Sequence, residues 1–164
     1  MQPDVIPIQP GLRLRKAALV DARTAFPWYQ DPEILRLLDG RHAPEPYPLE
    51  RVAAMYEYLM GVGEAYMIEV EEEGRWRPIG DVTLGRETMP ITIGEKRYWG
   101  RGIGRLVIGA LVARARELGW PRLAVREVHA YNVRSYRLFR SCGFREVRRE
   151  GDAVAMELVL SPHS

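Results

Sequence analysis

The chain has 164 residues, 46% of them hydrophobic and 28% charged, which is enough for one compact core and not for two. No apolar run approaches the roughly 20 residues that cross a bilayer, and residues 1–10 lack the pattern of a secretion signal. We therefore expect one soluble, cytoplasmic domain over residues 1–164, with residues 1–10 as a loosely held leader. The single cysteine excludes an internal disulfide, and three scattered histidines have no metal-ligand spacing, so no metal site is expected.

The charges are distributed unevenly along the chain. Residues 1–100 carry a formal net charge of −4 and residues 101–164 carry +6. We expect a polyanionic ligand on the C-terminal half and a cationic substrate on the N-terminal half, because opposite fields steer each ligand to its own side. Nucleic-acid binding is not expected, since the arginines are not interleaved with aromatic residues and no recognition helix is evident.

The N-terminal half begins with a strand and continues with short helices. Leu12 and Leu14 alternate with arginines, which predicts a strand with one exposed face. Asp21 predicts the start of a short helix, and Asp31-Pro32-Glu33 predicts a second one that ends at Gly40. The proline-rich residues 41–48 predict a loop, and residues 49–60 an amphipathic helix.

The C-terminal half alternates strands with helices. Apolar alternation and turn residues predict strands at 65–71, 76–84, 89–94, 122–129, 145–149 and 153–160. A long helix is predicted to end near Leu118, and Asn132 is predicted to cap a helix that runs to about Ser141. The order predicts an α/β fold with a mixed sheet of about seven strands flanked by helices.

A glycine-rich turn joins the strand at 89–94 to the long helix. Gly100, Gly102 and Gly104 lack side chains, so the backbone there can approach a ligand closely. The free N–H groups of the first helical turn carry a partial positive charge, and Arg101 and Arg105 add full charges. The turn therefore predicts a site for an anion such as a pyrophosphate.

The spacing of the turn separates the families that share glycine turns. The dinucleotide pattern GxGxxG requires glycine at 105 or 107, where Arg105 and Val107 stand, and the Walker pattern is absent. The string IGEKRYWGRGIG instead resembles the acetyl-CoA motif of the GCN5-related N-acetyltransferases (GNAT), in the branch with ribosomal-protein and polyamine acetyltransferases. Trp99 stands where the family usually has Gln or Arg.

A second motif lies further along the chain. Residues 127–144, EVHAYNVRSYRLFRSCGF, resemble the later block of the same family, with Asn132, Ser135, Leu138, Gly143 and Phe144 at the matching positions. On these two motifs the chain is identified as a member of the GNAT family. The resemblance implies a mostly antiparallel central sheet and transfer of an acetyl group from acetyl-CoA to a primary amine.

The resemblance also implies which residues bind acetyl-CoA. Its pantetheine arm would lie along Thr92, Ile93 and Gly94, and its pyrophosphate on Gly100, Arg101, Gly102, Ile103, Gly104 and Arg105. Asn132 and Ser135 would hold the far side of the arm. The unoccupied edge of a strand can pair with such an amide-bearing arm, and a free N–H can face the thioester oxygen.

A protonated amine must lose a proton before it attacks. Glu127 is the leading candidate for the base. Related N-terminal acetyltransferases carry a catalytic Glu five residues before the Asn of the second motif, which is Asn132 here. The alternative is that Glu127 only pairs with an arginine such as Arg126. Asp81 is the second candidate for the base that accepts this proton, and it could also contact the substrate.

The sequence leaves open which residue protonates the leaving thiolate and which residues form the acceptor pocket. Many relatives carry a protonating Tyr seven residues after the Asn, where this chain has Phe139. Ser135 or Tyr136 could replace it, and a thiol with a pKa near ~8.5 can also leave unaided. Trp28 and Tyr29, or the loop from His42 to Tyr47, are expected to wall the acceptor pocket unless they simply pack.

The identity of the acceptor is also open. A protein N-terminus, a polyamine and an aminoglycoside-like amine all fit the sequence, and so do transfer of a larger acyl group and a CoA-sensing protein without catalysis. A homodimer through an exposed strand edge after Val154 is left open as well.

Overall fold

The computed structural model describes residues 1–39, 45–129 and 132–160. These residues form eight strands and five α-helices, with 3₁₀ turns at Phe26–Gln30 and Lys96–Tyr98. The strands are β1 Val5–Gln9, β2 Leu12–Lys16, β3 Gly63–Glu72, β4 Arg75–Gly85, β5 Ile91–Ile93, β6 Arg122–His129, β7 Arg145–Glu150 and β8 Ala153–Val159. The helices are α1 Asp21–Ala25, α2 Pro32–Asp39, α3 Leu49–Val62, α4 Ile103–Glu117 and α5 Val133–Ser141.

The strands form two antiparallel sheets. The first has the order β1-β2-β3-β4-β5, and the second has the order β6-β8-β7. The α/β fold class and the helices flanking the strands are confirmed, whereas the single sheet of about seven strands is in fact eight strands in two sheets. Within the described residues, β5 and β6 are therefore edges that face each other without pairing.

Strand β1 corrects the prediction of a loose leader. Ile6 lies opposite Leu14 in an antiparallel pair, and Ile6 and Ile8 pack against the core. The turn between β1 and β2 uses Gly11, whose φ of 84° favours glycine. The prolines suggested an irregular segment, but Pro7 is tolerated because β1 is an edge strand with one unpaired side.

The first sheet separates two apolar clusters. On one face, α4 and α5 pack through Val107, Leu111 and Phe139 in the larger cluster, which also contains the core of the second sheet. On the other face, α1, α2 and α3 form a smaller cluster with residues such as Trp28, Ile34 and Tyr56. Side chains of the sheet alternate between the two clusters, as the strand period requires.

Substitution by alanine is expected to have opposite effects on stability at two of the glycines. A Cβ at Gly80 would lie 2.2 Å from the backbone oxygen of Thr92 on β5, which cannot move without shifting that strand. We expect Gly80→Ala to lower the free energy of unfolding by about 1–3 kcal/mol. Gly109 is exposed on α4 with no atom within 4 Å of such a Cβ, so Gly109→Ala should raise it by about 0.5–1 kcal/mol. Urea denaturation measures both, and equal stability of the two variants would contradict the close approach of β4 to β5.

Candidate active site

The gap between β5 and β6 opens into a cavity of about 610 Å³. At one end of the gap, the N–H of Arg126 on β6 donates to the carbonyl of Glu87, 3.2 Å away. Beyond that bond the strands separate, and residues of α2, α4 and α5 complete the walls. The cavity therefore reaches helices on both faces of the first sheet.

The free edge of β5 offers backbone groups to a ligand. The residues on either side of this strand bond to β4, since Pro90 O accepts from Thr83 N at 3.1 Å and Gly94 N donates to Ile79 O at 2.7 Å. Antiparallel alternation then directs the backbone of Ile91 and Ile93 away from β4 and into the cavity. The carbonyl of Ile93 accepts from the indole N–H of Trp99 at 2.8 Å.

The start of α4 forms the end of the cavity suited to an anion. Gly100 and Gly102 have φ values of 74° and 78°, and no atom lies within 4 Å of a Cβ built on either. The first helical bond is from Leu106 N to Gly102 O, so the N–H groups of the three preceding residues have no helical acceptor. With the side chain of Arg105 in the same wall, this end favours negative charge.

Gly104 has a different role from the two glycines before it. A Cβ there would lie 3.2 Å from Leu138 on α5 and 4.0 Å from Ile91 on β5. The absence of a side chain therefore lets α4 approach α5 and β5 closely. This packing fixes the distance between the anion-binding end and the free edge of β5.

The N-terminus of α5 also borders the cavity. The Oδ1 of Asn132 accepts from the N–H of Ser135 at 3.1 Å, which confirms the predicted helix cap. The Nδ2 of Asn132 donates to the carbonyl of Leu37 on α2 at 3.0 Å. Asn132 and Ser135 both line the cavity.

Two further polar residues of β6 line the cavity, and the sequence singled out only one of them. The register against β8 shifts between Val125 and Val128, so β6 has one extra residue at that point. Next to this bulge, Oε1 of Glu127 lies 3.7 Å from Nε2 of His129. The Glu127 side chain is 64% exposed. The period of two in a strand places His129 on the same face as Glu127, so the strand predicted at 122–129 could have indicated this pair.

Most of the predicted site residues line this one cavity, and two lie beside it. The lining includes Thr92, Ile93, Gly100, Gly102, Ile103, Gly104, Arg105, Glu127, Asn132 and Ser135. Gly94 packs instead against Trp28, whose ring would lie 2.1 Å from a Cβ at that position. Arg101 is exposed, with its guanidinium 5.0 Å from the centre of the Tyr98 ring.

The prediction that Trp28, Tyr29 and Asp81 contact the acceptor is wrong, because these side chains are packed behind the sheet. Trp28 and Tyr29 are 4% and 2% exposed and pack in the smaller cluster, and Tyr29 stacks on Tyr47. The Tyr29 hydroxyl donates to Asp81 at 2.9 Å. Asp81 borders only a 10 Å³ space, about the size of one water, so no acceptor fits there. These side chains support the sheet from behind, and His42 of the other predicted wall lies outside the described residues.

The candidates for protonating the leaving thiolate are also separated by the structure. The hydroxyl of Tyr136 donates to Glu146 at 2.9 Å, away from the cavity. Phe139 is buried in the cavity wall and makes an edge contact with Phe144. Ser135 therefore stays the predicted donor.

The chemical groups of the cavity suit acetyl-CoA. Its α4 end offers N–H groups and Arg105 to a pyrophosphate, and the edge of β5 offers backbone groups to an amide-bearing arm. A family model of the acetyltransferase (GNAT) domain matches residues 11–145. The chain belongs to the GNAT family. It is an N-acetyltransferase, and acetyl-CoA is its co-substrate.

Solved structures share the GNAT fold at low sequence identity. A domain from Methanocaldococcus jannaschii is 22% identical with a TM-score of 0.79, over 93% of this chain and 100% of that chain. The Microcin C7 self-immunity acetyltransferase MccE, in complex with acetyl-CoA and AMP, is 14% identical with a TM-score of 0.73, over 97% and 98%. A Salmonella typhimurium acetyltransferase that modifies the N-terminal serine of ribosomal protein L7/L12 is 15% identical with a TM-score of 0.75, over 96% and 99%. No curated protein sequence matches the chain.

Two kinds of feature are absent from the described residues. No group of three or more His, Cys, Asp or Glu side chains is placed to hold a metal ion within residues 1–39, 45–129 and 132–160. In the same part of the chain, no helix is both long enough and apolar enough to span a membrane.

Placing a side chain on the glycine turn tests the anion site. We expect Gly102→Glu to weaken acetyl-CoA binding at least about tenfold, because it puts a carboxylate before the α4 N-terminus and strains a φ of 78°. Gly119→Glu is the matched control, since Gly119 has a φ of 75° at the opposite end of the helix. Calorimetric titration with acetyl-CoA measures both, and unchanged affinity of Gly102→Glu would place the pyrophosphate elsewhere.

The enclosed carboxylate of Asp81 predicts a pH-dependent stability. Burial raises the pKa of Asp81 from 3.8 to about 6, although hydrogen bonds from Tyr56 and Tyr29 oppose the shift. A raised pKa in the folded state stabilises the fold fully below the unfolded pKa, and this contribution is lost as the pH rises through about 6. Relative to wild type, we expect Asp81→Asn to gain roughly 2 kcal/mol of unfolding free energy between pH 4 and pH 7.5. Urea denaturation across this range measures the difference, and a constant difference would contradict the raised pKa.

Proposed function

We propose that the protein transfers the acetyl group of acetyl-CoA to the N-terminal amine of a peptide or protein. The observation that carries the proposal is the position of the cavity, which lies in a break between two sheets and is lined from both faces. Residues of α4 and α5 line it from one side, and Ile34, Leu37 and Leu38 of α2 line it from the other. Acetyl-CoA therefore enters over α4, and the amine approaches its thioester from the α2 side.

The charges of the cavity favour an acceptor with a single amine. Its described lining contains three arginines, Arg105, Arg134 and Arg137, and one carboxylate, Glu127. The arginines suit the phosphates of CoA. Glu127 is then the one carboxylate of the lining that can pair with an ammonium group of the acceptor. A polyamine or an aminoglycoside carries several ammonium groups and needs several carboxylates near them. A peptide N-terminus needs only one.

The proton affinity of the acceptor leads to the same choice. An α-amino group has a pKa of about 8, so roughly a tenth of it is already neutral at pH 7. A lysine-like amine has a pKa of about 10.4, and less than a thousandth of it is neutral at that pH. The Glu127 side chain is well exposed. As a general base it therefore suits an α-amino group, which loses its proton easily, better than a lysine-like amine.

The residues of the chain then have distinct roles. Acetyl-CoA supplies the activated acetyl group. Glu127, with His129 at 3.7 Å, accepts the proton of the incoming ammonium directly or through water. The backbone N–H groups of Ile91 and Ile93 face the cavity, where they hold the amides of the arm and the thioester oxygen. Ser135 is the donor to the leaving thiolate.

One structural neighbour supports the choice of acceptor. The Salmonella enzyme is described as modifying the N-terminal serine of a ribosomal protein, and its fold matches nearly the whole of this chain. At 15% identity this likeness concerns the fold, and the charges and walls of the cavity carry the choice of acceptor.

Release of CoA from acetyl-CoA tests the proposed function. We expect turnover with short peptides that have a free N-terminus, and at least about tenfold lower kcat/KM with spermidine and with an aminoglycoside. Glu127→Gln should lower kcat/KM for the peptides by about 100-fold, because general bases contribute factors of this size. Glu150→Gln removes the same charge from an exposed position on β7 and should leave activity unchanged.

The outcomes separate the remaining alternatives. No CoA release with any amine, despite acetyl-CoA binding, would favour the CoA-sensing protein. A preference for spermidine over every peptide would overturn the peptide acceptor, and a higher kcat/KM with butyryl-CoA than with acetyl-CoA would favour the larger acyl group. Full activity of Glu127→Gln would remove Glu127 from the mechanism.

A further inference from the structure

The side chain of Asn132 connects two elements that are distant in sequence. Its Oδ1 caps α5, and its Nδ2 donates to the carbonyl of Leu37 near the C-terminus of α2 at 3.0 Å. Each group of the amide thus makes one hydrogen bond within the protein. The resemblance to the family implied that Asn132 holds acetyl-CoA, whereas these contacts tie the cofactor wall on α5 to α2.

The N-terminus of α2 has an anchor of its own. Nζ of Lys96 lies 2.7 Å from Oδ2 of Asp31 and 2.9 Å from Oε1 of Glu33. The Lys96 ammonium lowers the pKa of Asp31, and Oδ1 of Asp31 also caps α2 by accepting from the N–H of Glu33 at 2.8 Å. Lys96 lies between β5 and the glycine turn. Both ends of α2 are therefore held by segments that border the acetyl-CoA cavity.

These anchors matter because α2 is short. A helix of eight residues is not stable alone in water and depends on its tertiary contacts. The face of α2 with Ile34, Leu37 and Leu38 lines the cavity on the side opposite to α4. The position of α2 thus decides the shape of that wall.

We propose that Asn132 and Lys96 are positioning residues for the acceptor, which act by holding α2 in place as the acceptor-side wall. They set the affinity for the acceptor amine and contribute little to the affinity for acetyl-CoA. This inference rests on the proposed function for the direction from which the acceptor enters. The anchoring of α2 itself rests only on the contacts of Asn132 and Lys96.

Substitution by serine separates the two hydrogen bonds of Asn132. Asn132→Ser keeps an oxygen that caps α5 and loses the donor to Leu37, whereas Asn132→Ala loses both. We expect Asn132→Ser to raise the KM for the peptide about five- to tenfold while the dissociation constant for acetyl-CoA stays within about twofold. Asn132→Ala should show the same rise in KM together with a lower melting temperature.

Lys96 and its neighbour give a second, charge-matched test. Lys96→Met removes the ammonium that binds Asp31 and Glu33, while Arg97→Met removes a charge that pairs with Glu72 on β3 at 2.8 Å. Both variants remove one positive charge from the same 3₁₀ turn. We expect only Lys96→Met to raise the KM for the peptide, and Arg97→Met to match the wild type in that constant.

Hydrogen exchange of α2 gives a readout that does not depend on catalysis. We expect backbone amides of α2 to exchange at least about threefold faster in Asn132→Ser and Lys96→Met than in wild type, with α5 unchanged in both. Unchanged exchange of α2 in both variants would overturn the anchoring, whatever the activity. Weaker acetyl-CoA binding by Asn132→Ser at an unchanged KM for the peptide would overturn the acceptor role and return Asn132 to the cofactor.

Failure of the proposed function would look different. In that case the wild type would release no CoA with any peptide, and the exchange of α2 would still report whether Asn132 and Lys96 hold it. Faster exchange of α2 without any change in the KM for an active peptide would confirm the anchors and overturn their role in acceptor binding.

Discussion

The separation of β5 from β6 is the constraint on which the rest of the structure depends. An unpaired strand edge is normally a liability, because its backbone groups lack partners and invite association with other chains. Here two such edges face each other and are bridged at one end by the bond from Arg126 to Glu87. A ligand that carries amide groups along an extended arm can satisfy such edges, and acetyl-CoA is a ligand of this kind. The site thus forms where the edges of the two sheets, β5 and β6, do not pair with each other.

Several contacts keep this gap open. Gly104 lets Leu138 of α5 pack against the start of α4, which holds α5 beyond the end of β5. Behind β5, Asp81 lies opposite Thr92 in the register and receives hydrogen bonds from Tyr29 and Tyr56. A charged acid at that place would be unfavourable without these donors. The cluster therefore stiffens the supporting side of the strand whose other edge meets the ligand.

The sequence predicted the parts of the site that depend on local chemistry. The glycine turn, the cap at Asn132 and the cap at Asp31 are short patterns in which each residue acts on its near neighbours, and the structure has all of them. The strands that flank the gap were also predicted within a few residues. These features needed no knowledge of the tertiary arrangement.

The features that the sequence did not predict all depend on contacts between distant segments. Trp28 and Tyr29 have the composition of a substrate wall, but which face of a short helical turn is buried depends on α3 and β4 packing against it. The bulge in β6 next to Glu127 appears only in the pairing with β8. The leader became β1 because Ile6 and Ile8 add to a core formed mostly by later residues.

The arrangement of α2 has a thermodynamic consequence for the two ligands. In the proposal above, the wall for the acceptor is held by Lys96 and Asn132, and both belong to segments that border the acetyl-CoA cavity. If acetyl-CoA rigidifies those segments, it also reduces the entropy that the acceptor must lose when it orders α2. Linkage then requires the acceptor to strengthen acetyl-CoA binding by the same factor. A protein that shares its supports between two substrates in this way favours the complex with both over either complex alone, without any direct contact between the substrates.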